Sequence, residues 1–290
     1  MNVHLVDATF ELFRAFYSRP VQSGPGGQPV NAVRGLVETL LQLLREPEVS
    51  HAACATDYVI ESWRNDLYRG YKTGVGVDRS LLAQFRPAEE AIRALGLVCW
   101  PMVEDEADDG LATAAARFAA DPRVEQVVIC SVDKDLSQCV DGDHVVLRDR
   151  MRDITYNQDG VRVKFGVDPL SIPDYLALVG DSADGFPGLP GWGSRSAGAV
   201  LARWTALEGI PEDPLTWDVD VRGAGRLNAS LRAGWIDALL FRRLATLNRD
   251  ALAPGTLDEL EWHGVPRPAF EALMTELGLD ALVNRVHRWA

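Results

Sequence analysis

Short apolar runs alternate with helical patterns over the first 155 residues of the chain. The runs have the length and composition of buried β-strands, and each helical pattern is long enough to cross from one strand to the next. This alternation predicts an α/β fold, with a mainly parallel sheet and helices on both of its faces. The expected strands are 3–6, 51–56, 97–100, 126–131 and 144–148, and the expected helices between them are 32–45, 80–95 and 107–120.

From about residue 156 onward the strand pattern fades, and helical patterns are separated by glycine and proline turns. The expected helices in this part are 168–179, 193–204, 225–246 and 267–288. The sequence therefore predicts two domains, an α/β domain over 1–155 and a helical domain over 156–290.

The chain has 290 residues, of which 47% are hydrophobic and 24% charged, and this composition excludes wholesale disorder. The net charge of −13 argues against a protein that coats nucleic acid nonspecifically, but not against an enzyme that binds divalent cations through carboxylates. The four cysteines form no CxxC pair, and the first residues lack the pattern of a secretory signal. We therefore expect a reduced cytoplasmic protein without structural disulfides, zinc or a membrane span.

Acidic residues follow several of the expected strands. Asp7 and Asp57 directly follow the first and second strands, and Asp133 and Asp135 come after the fourth. In a parallel sheet the carboxyl ends of the strands meet at one edge, where ligands bind. Further acids are Glu104, Asp105, Glu106, Asp108 and Asp109 at the start of the alanine-rich helix, and Asp181 and Asp184 beyond the sheet.

Any one of these acids could be a helix cap or a turn residue. Many carboxylates at one edge, however, repel one another and take up protons unless cations neutralise them. A set of oxygen ligands without histidine or cysteine favours Mg²⁺ or Mn²⁺ over zinc. Two such ions about 4 Å apart suit in-line attack on a phosphodiester, so the acids predict metal-dependent phosphoryl chemistry.

Two other segments could bind phosphate. Residues 180–201 are rich in glycine and proline and open a helix at about Ser194, whose N-terminus could accept a phosphate. A plain turn between two packed helices is the alternative. Residues 221–249 then hold six arginines against one aspartate, which favours contact with a phosphate backbone. In residues 63–80, basic residues alternate with aromatic ones that could hold a phosphate or stack a base, although an amphipathic helix and a flexible loop would look the same.

The motifs LVDATFELFRAFYS, WRNDLYRGYK, EADD, SVDKDLSQ, GDSADGFPGLPGWG and RLATLNRD follow one another in this order. In this order they resemble the 5′-nuclease (flap endonuclease) superfamily, and within it the 5′–3′ exonuclease domain found at the N-terminus of bacterial DNA polymerase I. The resemblance covers nearly the whole chain. It implies a PIN-like nuclease core over 1–155 with an arch at 63–85, and a helical DNA-binding domain over 156–290 with a helix–hairpin–helix at 180–204.

The resemblance also assigns roles to residues. It implies that two Mg²⁺ or Mn²⁺ ions are bound, the first by Asp7, Asp57, Glu106 and Asp108, and the second by Asp108, Asp133, Asp135 and Asp184, with Asp109 and Asp181 acting through water. Lys72 would stabilise phosphate charge in the transition state, so the expected catalytic residues are Lys72, Asp108 and Asp133. The expected DNA contacts are Arg14, Arg64, Arg69 and Arg79, together with Gly188, Gly191, Gly193, Arg195 and Ser196 of the hairpin, which in relatives often acts through K⁺.

The expected function is that of a monomeric, metal-dependent, structure-specific 5′-nuclease. It would cleave DNA near a 5′ end, flap or nick and leave a 5′-phosphate and a 3′-hydroxyl. Two alternatives stay open at this point. One is a noncatalytic DNA-junction binder on the same fold, because Thr-Gly-Val-Gly-Val follows Lys72 where relatives carry a basic residue. The other is a nuclease directed at RNA.

Overall fold

The computed structural model describes residues 1–251 and 254–290, which form two compact units. The first unit comprises 1–60, 74–131 and 248–290, and the second comprises 61–73 and 132–247. The units interleave along the chain because they are defined by packing. The predicted functional division near residue 155 stays a prediction.

Four parallel strands form the sheet of the first unit, in the order β3-β2-β1-β4. The chain supplies them as buried or half-buried runs, because a sheet covered on both faces leaves few positions for polar side chains. The strands are β1 (Asn2–Asp7), β2 (His51–Asp57), β3 (Val98–Met102) and β4 (Gln126–Cys130). The first four strands predicted from the sequence are therefore confirmed.

Helices flank these strands in the same unit. They are α1 (Ala8–Ser18), α2 (Asn31–Leu43), α4 (Arg79–Leu82), α5 (Phe85–Ala94), α6 (Ala107–Ala119) and α12 (Arg267–Leu277). The expected helix over 80–95 is broken into α4 and α5 at Gln84. This buried side chain accepts from the backbone N–H groups of Ala32 and Val33 at 2.8 and 3.2 Å, at the start of α2.

The C-terminal segment of the chain completes the core of the first unit. Trp262 donates from its backbone to Ser50 at 2.8 Å and from its indole to the Leu95 carbonyl at 2.9 Å. Phe270 and Met274 of α12 are fully buried. The expected helix over 267–288 ends early, because Gly278 adopts a left-handed conformation and a short 3₁₀ helix follows.

The second unit is mostly helical. It has the antiparallel strands β5 (Val145–Asp149) and β6 (Ile154–Tyr156), and the helices α3 (Trp63–Leu67), α7 (Gln158–Phe165), α8 (Ile172–Val179), α9 (Ser194–Trp204), α10 (Ala224–Ala233) and α11 (Trp235–Ala245). The expected helix over 225–246 is divided at Gly234, which packs close to the Leu189 side chain. Three partly exposed residues make up β6, and the sequence analysis did not predict it.

The predicted fold class, a mostly parallel sheet flanked by helices with a helical C-terminal part, is confirmed. Over the ranges 1–251 and 254–290, no helix has both the length and the apolar character needed to cross a membrane.

Replacing Phe270 by alanine tests how much the C-terminal segment stabilises the first unit. We expect Phe270→Ala to lower the free energy of unfolding by about 3–5 kcal/mol, because it leaves a cavity where a fully buried ring packs. Denaturant titration followed by circular dichroism measures the loss. The exposed Glu276 of the same helix supplies the control, since Glu276→Ala should change the value by less than about 0.5 kcal/mol. Equal effects of the two substitutions would show that α12 does not stabilise the core.

Candidate metal centre and phosphate-binding hairpin

Asp7 and Asp57 end neighbouring parallel strands of the first unit. The Asp7 carboxylate caps α1 by accepting from the Phe10 N–H at 2.8 Å, and it accepts from the Ser131 hydroxyl at 2.8 Å. The Asp57 carboxylate accepts from the backbone N–H of Ala107, the first residue of α6, at 2.7 Å. The capping role considered for these acids is therefore present. It is compatible with metal binding, because each carboxylate oxygen has two lone pairs.

Three further acids lie at the start of α6. Glu106 is the N-cap residue and Asp108 is in the first turn, where the helix dipole favours negative charge. Asp109 is fully buried, and its two oxygens accept from the backbone N–H groups of Glu106 at 3.0 Å and Asn248 at 2.8 Å. These contacts give Asp109 a structural role, and they place Glu106 and Asp108 at the same helix end as Asp57.

The second unit contains a cluster of three buried acids. Asp135 begins a 3₁₀ helix, and Asp181 and Asp184 lie in the turn after α8. Each offers a carboxylate oxygen, and these oxygens all lie within 4.8 Å of one another. The backbone N–H of Asp135 donates to the Asp133 carboxylate at 2.9 Å, so Asp133 adjoins the cluster. The structure thus brings together four of the predicted metal ligands in this unit.

The cluster is electrostatically strained. The pKa of the Asp135 carboxyl is raised well above its usual range, because the side chain is removed from water and three other carboxylates surround it. Its Oδ1 is buried and has no hydrogen-bond partner among the described residues. Burial lowers the pKa of the Lys134 amine, but its hydrogen bond to Asp181 and the nearby acids outweigh burial and raise it. An oxygen-only donor set with this charge excess fits Mg²⁺ or Mn²⁺.

Lys72 is attached to the same cluster at two points. Its Nζ lies 3.0 Å from the Asp184 Oδ1, and its backbone N–H donates to the Asp184 carbonyl at 2.9 Å. The side chain of Asn65 donates to the Lys72 carbonyl at 2.9 Å. These bonds hold the ammonium beside the carboxylates, where it can stabilise charge on a phosphate.

A tight hairpin connects α8 to α9. Asp181 and Phe186 form an isolated antiparallel bridge within it. Gly185 has φ +88°, and a Cβ at this position would lie 2.1 Å from the Gly70 carbonyl oxygen. Gly188 has φ +70°, and its Cβ would meet the backbone N of Gly180 at 2.3 Å. Only glycine fits both positions, so the backbone of the hairpin packs directly against the backbone of neighbouring segments.

The N-terminus of α9 follows directly after the hairpin. The Gly193 N–H donates to the Ser196 hydroxyl at 3.1 Å, and that hydroxyl donates to the Gly193 carbonyl at 3.0 Å. Arg195 is exposed in the first turn. This end of the helix, together with Asp220 and Arg222, lines a cavity of about 470 Å³. The predicted helix–hairpin–helix is therefore present as a fold element, and its contact with DNA stays a prediction.

Arg64 corrects the sequence analysis. It is 1% exposed, and its guanidinium donates to the carbonyls of Leu244 at 2.7 Å and Thr246 at 3.2 Å. A side chain buried in this way supports the backbone after α11 and does not face DNA. Arg14 is paired with Glu11 and with the Thr39 hydroxyl.

The remaining predicted DNA contacts, Arg69 and Arg79, are exposed. The arginine-rich segment 221–249 is only in part a free basic surface. In it, Arg242 bridges Asp174 at 3.0 Å and Glu208 at 2.7 Å, both within the second unit.

Sequence reasoning missed Lys134 and Asn248. Lys134 lies between two predicted ligands in Asp-Lys-Asp, and this position was a usable signal for its contact with Asp181. The position of Asn248 in the sequence indicates no role for it. Its backbone N–H nevertheless donates to Asp109, and its side-chain amide donates to Asp105. It lies 139 residues from Asp109 in sequence, so only the fold reveals this contact.

Replacing Asp135 by asparagine tests the metal centre without any nucleic acid. In EDTA near pH 8 we expect Asp135→Asn to raise the free energy of unfolding by an amount on the order of 1 kcal/mol, because a neutral amide relieves the repulsion. The pKa of Asp135 is raised in the folded state, so its destabilising effect is present at high pH. The difference should shrink as the pH falls toward the ordinary carboxyl pKa.

Saturating Mg²⁺ should reverse this order, because it stabilises the parent by about 2–3 kcal/mol at a hundredfold excess over its dissociation constant and stabilises the variant less. Calorimetry with and without the metal measures both effects. Glu212→Gln, at an exposed position between α9 and α10, is the control and should shift neither value. A parent protein that is indifferent to Mg²⁺ and Mn²⁺ would contradict the metal assignment.

Nearly all of this chain aligns with one part of longer curated proteins. The chain is 36% identical over 283 residues to DNA polymerase I of Pseudomonas aeruginosa, which aligns with 94% of this chain and 30% of that protein. It is 31% identical over 287 residues to DNA polymerase I of Bacillus caldotenax, with 97% and 32% covered. The chain thus spans about a third of the length of the curated relatives it matches.

Solved structures with the same fold include a phage T5 protein, "T5 D15 Protein Co-crystallized with Metal Ions". It has a TM-score of 0.69 and 16% identity, with 94% of this chain and 98% of that chain covered. The catalytic core of Rad2 in complex with DNA substrate has a TM-score of 0.62 and 14% identity, with 98% and 92% covered. At these identities the likeness shows the fold.

Two family models match the chain in succession. One describes the N-terminal resolvase-like domain of 5′–3′ exonucleases and matches residues 2–166, and the other describes their C-terminal SAM fold and matches 167–267. Because the two matches together cover most of the sequence and both halves of the acidic pattern, the chain belongs to the 5′–3′ exonuclease family of 5′-nucleases.

Proposed function

We propose that the protein hydrolyses phosphodiesters of DNA at or near a 5′ end, flap or nick, and leaves a 5′-phosphate and a 3′-hydroxyl. The observation that carries this proposal is the buried cluster of Asp135, Asp181 and Asp184, with Lys72 held against Asp184. A cation and several carboxylates at one place suit a phosphate that is bound through metal ions. The family match supports the same reaction class.

Two divalent ions, Mg²⁺ or Mn²⁺, are part of this proposal. Asp133, Asp135, Asp181 and Asp184 would hold one, and Asp7, Asp57, Glu106 and Asp108 would hold the other. When bound, such ions lower the pKa of water and stabilise the entering and leaving oxygens of an in-line displacement. The buried Asp135 oxygen and the raised pKa of its carboxyl are the features of this chain that a cation would satisfy.

The protein's own residues would orient the phosphate and balance its charge. Lys72 would donate hydrogen bonds to a nonbridging phosphate oxygen as negative charge grows there. A water oxygen forms a bond to phosphorus, the bond from phosphorus to the 3′ oxygen breaks, and the 3′ oxygen takes up a proton. Asp184 would position Lys72 for this role, since it holds the lysine through both its side chain and its backbone.

The hairpin between α8 and α9 is the proposed site for the duplex backbone. The N-terminus of α9 would present its first backbone N–H groups to an anion, and the exposed Arg195 adds a positive charge at the end of the helix where the dipole is positive. Gly188, Gly191, Gly193, Arg195 and Ser196 form this site in the proposal, with K⁺ as a further ligand. DNA is favoured over RNA because the helix–hairpin–helix suits a duplex phosphate backbone, and because a neighbour of the same fold, the Rad2 core, was solved with a DNA substrate.

The remaining parts of the proposal concern organisation. The functional division lies near residue 155, with the nuclease core before it and the DNA-binding helices after it. The arch at 63–85 carries Arg69 and Arg79 toward the DNA. The protein would act as a monomer in the cytoplasm.

Lys72→Ala and Asp133→Ala test the catalytic assignment. We expect each to lower the single-turnover cleavage rate by about 100-fold or more, because Lys72→Ala removes a cation beside the phosphate and Asp133→Ala removes a proposed metal ligand. The assay uses a 5′-labelled flap duplex, with fully duplex and single-stranded controls, in Mg²⁺, Mn²⁺ or EDTA. Arg267→Gln, a surface change on α12, is the control and should leave the rate within twofold of the parent.

Undiminished cleavage by either variant would contradict the assignment. Junction binding by the parent without any product, in Mg²⁺ and in Mn²⁺, would instead favour a noncatalytic DNA-junction binder. Faster cleavage of a matched RNA substrate would favour a nuclease directed at RNA.

Arg195→Ala tests the hairpin. We expect weaker binding to duplex DNA of any sequence, and a slope of log affinity against log salt that is smaller by about one, because one phosphate contact is lost. Fluorescence anisotropy over a salt series measures both values. Arg203→Ala is the matched control, since Arg203 lies at the other end of the same helix and is paired with Asp218 at 2.9 Å. An equal change in the two variants would show that the helix N-terminus does not bind DNA.

A further inference from the structure

An exposed tyrosine follows directly after Asp57, at the acidic edge of the sheet. The backbone N–H of Tyr58 donates to the Met102 carbonyl at 2.8 Å, which continues the pairing of β2 with β3 beyond the last strand residue. The position of Tyr58 is therefore set by the same hydrogen bonds that fix Asp57. Tyr58 is not among the residues that were assigned above to the metals or to DNA.

The side chain of Tyr58 is held at its hydroxyl end. The Arg86 guanidinium of α5 bonds the tyrosine hydroxyl and lies 5.4 Å from the ring centroid. The ring nevertheless stays 36% exposed. An aromatic side chain that is fixed in orientation loses little entropy on binding a flat partner, so this arrangement is preorganised.

Two exposed valines adjoin the tyrosine along the backbone. Val59 is 39% exposed and follows it in sequence, and Val103 is 56% exposed and follows Met102. Single exposed apolar residues are common on protein surfaces and carry no meaning alone. Here three of them lie at the ends of two paired strands, next to a carboxylate assigned to metal binding. The surface therefore offers an apolar, sequence-tolerant contact beside the place where a phosphodiester would be held.

We propose that the ring of Tyr58 stacks on a nucleobase next to the cleaved phosphodiester, and that Arg86 is a positioning residue that fixes the ring. This inference rests on the proposed function, since it requires a nucleic acid at the acidic edge. A base is the flat, apolar part of a nucleotide, and every base presents a π-face. Stacking of this kind would place the scissile phosphate without reading its sequence.

The test is a double-mutant cycle between the protein and the DNA. The bond that the parent cleaves in a flap substrate is mapped first. Abasic sites are then placed, one at a time, at the two nucleotides on either side of it. At one of these positions we expect the parent to lose about tenfold in kcat/KM, mostly through KM, which is the order expected for one base–aromatic stack. Tyr58→Ala should lose about tenfold on the intact DNA and little more on the abasic DNA.

Two further variants separate stacking from simple structural damage. Tyr58→Phe keeps the ring and should retain the sensitivity to the abasic site, whereas Arg86→Gln should lose part of it. Arg267→Gln, which removes an arginine that also lies over an aromatic ring, should behave as the parent does. The melting temperature of each variant shows whether it is folded.

Independent, multiplying effects of Tyr58→Ala and of every abasic site would overturn the inference while leaving the nuclease assignment intact. The same holds if the parent is indifferent to all four abasic sites, or if Tyr58→Ala cleaves as fast as the parent. If the parent cleaves no DNA in Mg²⁺ or Mn²⁺, the proposed function itself fails, and the stacking role fails with it.

Discussion

The mutual repulsion of buried carboxylates is the constraint around which the second unit is organised. Asp135, Asp181 and Asp184 lie within 4.8 Å of one another away from water, an arrangement that costs free energy in a protein without compensating charge. Lys134 and Lys72 offset part of this cost, each by pairing with one acid of the cluster. These two ammonium groups do not neutralise all of the carboxylates, and the pKa of the Asp135 carboxyl is still raised. The remaining negative charge is what a divalent ion would neutralise in the proposed metal site.

Residues proposed to bind metal also stabilise the fold. Asp7 and Asp57 hold the first turns of α1 and α6 through backbone N–H groups, so the helix dipoles stabilise the negative charges of both carboxylates. Asp109 differs from these two residues. It lies among predicted ligands, but both of its oxygens serve the backbone, and it holds the N-terminus of α6 in place for its neighbours. An acidic motif therefore includes structural supports beside the proposed ligands, and only the contacts distinguish them.

Periodicity and motif order predicted the parallel strands, the helix over 107–120 and the hairpin before Ser194. These features depend on local pattern, which the sequence displays directly. Other features depend on contacts between distant residues. Gln84 lies at the break of an expected helix and its side-chain oxygen accepts from the start of α2, and the buried Arg64 donates to the Leu244 carbonyl, 180 residues away. The motif WRNDLYRGYK gave both Arg64 and Lys72 as functional residues, yet one supports the backbone and the other lies beside the acids.

The closeness of Gly185 to the carbonyl of Gly70 has a consequence for how the protein can diverge. Lys72 follows Gly70 by two residues and is bonded to Asp184, the neighbour of Gly185, through its backbone as well as its side chain. A side chain at position 185 would push the segments around Gly70 and Gly185 apart and move Lys72 away from the Asp184 carboxylate. Such a change leaves every residue proposed to bind metal or DNA in place, but it would separate Lys72 from Asp184. Backbone geometry therefore restricts position 185 to glycine, although glycine has no side-chain chemistry of its own.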